Sequence, residues 1–99
     1  SVSNNNPYEF MLYQNTPNPF NTSTSIKIQL NIDTFVKAEI YNLLGQKVKT
    51  LISGYMKGGI YNLTWCGNND SGLILSSGTY ILTVKTSDVI KTQKILFLK

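Results

Sequence analysis

Ile26, Ile28, Leu30 and Ile32 alternate with Lys27, Gln29 and Asn31. Successive side chains of an extended strand point to opposite faces, so this stretch has one apolar and one polar side. The same two-residue period returns along the chain. Val36, Ala38 and Ile40 alternate with Lys37, Glu39 and Tyr41. Tyr61, Leu63 and Trp65 make another row, and Tyr80, Leu82 and Val84 a further one. Shorter runs lie around Tyr8, Phe10 and Leu12, around Val48 and Leu51 or Ile52, and from Val89 to Leu98. No segment holds a helical period over roughly 11 residues. Seven short strands with turn signals about 8–12 residues apart predict an all-β antiparallel sandwich or barrel. The predicted core is Ile26, Ile28, Leu30, Val36, Ala38, Ile40, Tyr61, Leu63, Trp65, Tyr80, Leu82 and Val84.

The connections carry their own signals. Gln14-Asn15-Thr16-Pro17-Asn18-Pro19-Phe20-Asn21 contains two prolines, each fixing φ and removing a backbone donor, so it is no central strand. It reads as an ordered corner joining two sheets, with Phe20 plugged into the core. This long connection favours a sandwich over a barrel. Asn42 to Gln46 reads as a turn in which Gly45 takes a positive φ. Ser53 to Gly59 reads as a second turn region, and Gly67 to Gly72 as a polar loop. Leu73, Ile74 and Leu75 form an apolar patch expected to cover something. Ser76-Ser77-Gly78 leads into a terminal pair of strands, with Ser87-Asp88 as the turn between them. The polar residues 1–7 read as the end of an interdomain linker, and 8–99 as one domain.

Charge and residue types narrow the function. The chain carries nine lysines, no arginine and five acidic residues, for a formal charge of +4. Arginine dominates bidentate recognition of phosphate and guanine, and the lysines are scattered, so nucleic acid is not an expected partner. There is no histidine and one cysteine, Cys66. That excludes a histidine-based triad, a histidine metal site and an internal disulfide. No acid–base pair stands at an informative spacing, so an enzyme is not expected, nor a cofactor. Asn68, Asn69 and Asp70 offer oxygens that calcium accepts, but a polar turn is the simpler expectation. No apolar run reaches the ~20 residues of a membrane helix. No signal-peptide pattern opens the sequence, so export would need a signal elsewhere.

Five motifs in order and spacing resemble one family. They are Gln14-Asn15-x-Pro17-Asn18-Pro19-Phe20-Asn21; Tyr41-Asn42-Leu43-Leu44-Gly45-Gln46-Lys47-Val48; Gly59-x-Tyr61-x-Leu63-x-Trp65; Ser77-Gly78-x-Tyr80; and Lys94-Ile95-Leu96-Phe97-Leu98-Lys99. From Pro7 to Lys99 the chain resembles the type A C-terminal sorting domain of the type IX (Por) secretion system, related to Ig-like domains of flagellar hook-capping proteins. Thr16, Thr22 and Cys66 depart from the family's usual aromatic, proline and acidic residues. The resemblance implies a seven-stranded antiparallel Ig-like sandwich. It also implies a signal that follows a larger cargo domain in the same chain and is read by an outer-membrane translocon. A cell-surface sortase would then cut within or before Ser1 to Pro7, leaving the cargo on the cell surface or in the medium.

The expected recognition residues are Lys94, Ile95, Leu96, Phe97, Leu98 and Lys99. This end of the sequence is apolar and β-prone where chain ends are ordinarily polar. The expectation is a terminal strand with one edge free for β-augmentation, flanked by the two ammonium groups. Pro17, Asn18, Pro19, Phe20, Gly45, Trp65, Gly78 and Tyr80 are the structural motif residues, and the Pro17 to Phe20 corner is the second candidate for recognition. The competing reading is an accessory module, a structural spacer or a carbohydrate binder. It would need Tyr13, Tyr41 and Tyr55 to form one stacking platform.

Overall fold

The computed structural model describes residues 9–99. The expected linker, its cleavage point and Tyr8 lie outside the described residues. Seven strands follow in order: β1 (Met11–Leu12), β2 (Thr24–Leu30), β3 (Thr34–Tyr41), β4 (Lys47–Met56), β5 (Gly59–Trp65), β6 (Gly78–Thr86) and β7 (Ile90–Phe97). They form two antiparallel sheets, ordered β1-β2-β5 and β4-β3-β6-β7. This is an Ig-like β-sandwich, with the chain passing between sheets after β2, β4 and β5.

The alternating rows fill the space between the sheets. Ile26, Ile28 and Leu30 of β2 face Val36, Ala38 and Ile40 of β3 and Leu82 and Val84 of β6, all buried. Phe10, Phe20, Trp65, Tyr80, Ile95 and Phe97 complete the core. Tyr61 and Leu63 point inward as expected but are only half-buried, because β5 is the edge of its sheet.

Two expectations are corrected. Ser53 to Met56 is strand rather than turn. Ser53 pairs with Lys37, Gly54 with Val36 and Met56 with Thr34. An edge strand tolerates a glycine that a central one would not, and ladder pairing overrides the local turn preference. The reversal shrinks to Lys57-Gly58, and Asp33 Oδ1 accepts the Gly58 N–H at 2.8 Å. The second correction concerns the Leu73 to Leu75 patch. Leu75 packs on the core, but Leu73 and Ile74 are exposed. They lie on a small turn that pairs with itself, Asn68 opposite Ile74, rather than with a neighbouring strand.

Candidate functional site

The two candidate segments, far apart in sequence, meet at one end of the sandwich. Phe20 pairs in parallel with Phe97 as a one-residue bridge. Its N–H donates to the Leu96 carbonyl (3.0 Å), and its own carbonyl accepts the Leu98 N–H (2.9 Å). Asn18 Oδ1 accepts the Leu96 N–H at 2.9 Å. Both backbone groups of Leu96 are therefore engaged by the corner. The expected free edge on β7 does not exist at Leu96 to Leu98.

The covering continues along the strand. Gln93 donates through Nε2 to the Tyr13 carbonyl (3.0 Å), and its Oε1 accepts the Asn15 N–H (3.1 Å). Lys91 pairs with Glu9 at 2.9 Å and sits over the Phe10 ring. Residues 9–20 thus run parallel to β7 and close that side of the sandwich. An uncovered strand edge invites pairing with another chain, and this closure removes the liability.

The corner is held from within. Asn15 is 2% exposed, and its Nδ2 donates to Thr24 Oγ1 (2.9 Å) and to the Pro17 carbonyl (3.3 Å). Thr24 Oγ1 donates to the same carbonyl at 2.8 Å. A buried amide that finds partners is stabilising, whereas an unpaired one is costly. Phe20 then reaches the core as expected. Its ring stacks on Phe97 (centroids 4.9 Å) and tilts against Trp65 (5.5 Å). Tyr80 meets Trp65 edge-on at 5.3 Å. These geometries suit the quadrupoles of the rings. The polar tips are satisfied too: Trp65 Nε1–H donates to the Asn68 carbonyl and the Tyr80 hydroxyl to the Ser76 carbonyl. Burial pushes the Tyr80 phenol above its ordinary pKa, so it stays a donor.

The predicted recognition residues therefore divide. Ile95 and Phe97 are core, Leu96 is half-buried, and Lys94, Leu98 and Lys99 are exposed. Lys94 sits opposite Ile81, on the outer face of its sheet. The Lys99 N–H donates to Ser77 Oγ at 2.8 Å. Leu98 joins Pro17, Pro19, Phe20 and Asn21 around a shallow pocket of about 310 Å³. An open hollow walled by prolines, with Phe20 and Leu98 beside the polar Asn21, offers both apolar and polar contacts to a side chain.

Gly45 has φ of +83° as expected, and Gly78 opens β6. Gly67 is a residue that the sequence reasoning missed. Its φ is +72°, and a Cβ there would lie 2.5 Å from Phe97 Cζ. The only sequence signal was a glycine two residues after a core tryptophan.

The other candidates are dispersed. Asn69 Oδ1 accepts the Ser71 and Leu73 N–H groups, and Asp70 Oδ1 accepts that of Thr50. Of the oxygens considered for calcium, Asn69 Oδ1 and Asp70 Oδ1 are thus directed to backbone amides. Tyr41 and Tyr55 stand at opposite ends of the β3–β4 pair, and Tyr13 belongs to the other sheet's side, its hydroxyl bonded to Gln29. Glu39, buried on the outer face of β3, accepts from the Tyr41 hydroxyl (2.9 Å) and pairs with Lys47 (3.4 Å). That hydrogen bond raises the Tyr41 pKa. Cys66 is exposed.

Comparison with known proteins agrees with this architecture. The FlgD Ig-like domain family matches residues 14–89. No curated protein matches. Dimeric latent PorU from Porphyromonas gingivalis contains a similar domain, with TM-score 0.67 and 20% identity over 90% of this chain. PorZ, an essential bacterial surface component of the type IX secretion system of Porphyromonas gingivalis, contains another, with TM-score 0.57 and 17% identity over 89%. The chain spans 9% of PorU and 11% of PorZ.

Proposed function

The chain belongs to the FlgD Ig-like domain family, and from that premise we propose that it is a C-terminal sorting domain. In this reading it directs a larger cargo through the type IX outer-membrane translocon to the cell surface or medium. Its partners are the translocon, a cell-surface sortase and the cargo domain ahead of it. It is not membrane-spanning, and among the described residues no helix is long and apolar enough to cross a membrane. It performs no chemistry of its own.

The observation that carries the proposal is the bonding of Asn18 and Phe20 to Leu96 and Leu98. It brings the two candidate segments together on one surface, with Leu98 and the two prolines around a common hollow. A folded signal needs such a surface, because a receptor reads side chains held at fixed positions. The fold shared with a domain of PorZ lends the reading support.

The test is export of a reporter carrying this chain at its C-terminus and an inner-membrane export signal at its N-terminus. In a host with a type IX system, the reporter should reach the surface or medium. Retention in the periplasm, with the domain folded, would overturn the proposal. Replacing Lys94 and Lys99 together by glutamine, with melting unchanged, should lower export, since both are exposed side chains of the segment proposed to be read.

A further inference from the structure

The turn between β3 and β4 and the turn after β5 are built alike. In the first, Asn42 Oδ1 accepts the N–H groups of Leu44 and Gln46. The Gly45 N–H donates to the Asn42 carbonyl, and the Asn42 N–H to that of Gln46. In the second, Asn69 Oδ1 accepts from Ser71 and Leu73, Gly72 N–H donates to the Asn69 carbonyl, and Asn69 N–H to that of Leu73. Gly45 and Gly72 have φ of +83° and +89°. The turn needs the asparagine and the glycine; it does not dictate the two residues between them. In the second turn these are Asp70 and Ser71, polar and compatible with water. In the first they are Leu43 and Leu44, which are 69% and 84% exposed.

Both turns lie at the end of the sandwich where β3 and β7 finish and β4 and β6 begin, tied together by Asp70 N–H donating to the Val48 carbonyl. Leu73 and Ile74 follow the second turn, and Leu98 follows β7; all three are exposed. Three separate segments thus present apolar side chains at one pole. Lysines surround them: Lys47 and Lys49 open β4, Lys47 paired at 3.4 Å with Glu39 of the adjacent strand, Lys94 stands on the same end of β7, and Lys99 adjoins Leu98. Of the acidic side chains, only Asp70 lies in these turns, and its Oδ1 is turned to Thr50.

We propose that this pole docks on a bilayer containing anionic lipid, with Leu43 and Leu44 entering the interface and the lysines meeting the phosphates. A single protein groove would take one protruding tip. A planar surface takes several at once, and apolar area combined with lysine attraction to anionic headgroups is the chemistry of interfacial binding. The pole shares Leu98, Lys94 and Lys99 with the proposed sorting surface, but the inserted residues, Leu43 and Leu44, belong to a turn that surface does not use, so the vesicle test does not depend on the sorting role.

Co-sedimentation of the whole chain with vesicles tests it. Binding should be clear on phosphatidylcholine mixed with phosphatidylglycerol, weak on phosphatidylcholine alone, and reduced by salt. Leu43→Ser with Leu44→Ser keeps Asn42 and Gly45, so the turn should survive; binding should fall about tenfold, the loss expected for two partly inserted leucines. Ile90→Ser, at the opposite pole, should change nothing and controls for general stickiness. Equal binding by the double variant, or no binding to anionic vesicles, overturns the proposal. Concentration-dependent self-association that the double variant abolishes would overturn it in favour of a second copy as the occupant.

Discussion

The turns at Asn42 and Asn69 share a hydrogen-bonding scheme yet differ in what holds them. The Asn69 turn is rooted in the core. Trp65 Nε1–H donates to the Asn68 carbonyl beside it, Gly67 lets the Phe97 ring pass beneath it, and Asp70 bonds twice to the edge of β4. The Asn42 turn is held by its own asparagine, by a Gln46 side chain that accepts from Asn42 Nδ2, and by the strands on either side. The difference separates two reasons for a residue to be where it is. In the first case neighbours across the fold select the side chains. In the second, the backbone selects Asn42 and Gly45 and leaves the tip to whatever meets it from outside.

Substitutions sharpen that contrast, and their expected effects descend in size. Trp65→Ala should be the most damaging, at about 3–5 kcal/mol, because it hollows the core beneath the rooted turn. An unchanged melting temperature would show that the turn does not depend on the aromatic cluster. Gly67→Ala comes next, at roughly 2–4 kcal/mol, combining an unfavourable left-handed backbone with a clash against Phe97. Denaturant midpoints would show it; full tolerance would mean that the ring can retreat.

Gly45→Ala and Gly72→Ala break the shared feature instead. Neither Cβ would meet an atom within 4 Å, so only the backbone strain remains, about 1–2 kcal/mol in each. Unequal losses would contradict the claim that the two glycines serve the same backbone role in the shared hydrogen-bonding scheme. The smallest effects belong to the tips. Asp70→Ala should cost up to about 1 kcal/mol through its lost bond to Thr50. Leu43→Ser with Leu44→Ser should stay within about 0.5 kcal/mol of the parent, as surface changes do. A larger loss in that double variant would show that the leucines serve the fold.

The same division explains how much could be read from the sequence. The strands β2, β3 and β6 were legible because alternation is local: Ile26, Val36 and Leu82 lie in runs whose period survives on paper. Phe20 as a plug and Gly45 as a positive-φ residue were legible because each has a strong conformational signature. The free edge expected for β7 was not, because what covers it comes from far away: Asn18 meets Leu96 across 78 positions. Gly54 carries a turn signal that pairing with Val36 overrides. Leu73 and Ile74 are β-formers whose placement depends on the Asn69 turn. In the candidate site, the motif residues were visible, but their union into one surface required the fold.

That union is the claim most open to a direct test. Leu98, just past β7 on the rim of the proline-lined hollow, and Ile90, at the far end of β7, are both exposed. Each can be changed to aspartate in a C-terminal fusion to a secreted reporter, with melting measured alongside. Leu98→Asp should abolish or sharply reduce delivery to the surface while the domain stays folded, and Ile90→Asp should leave delivery near the parental level. Normal delivery by a folded Leu98→Asp variant would contradict the account.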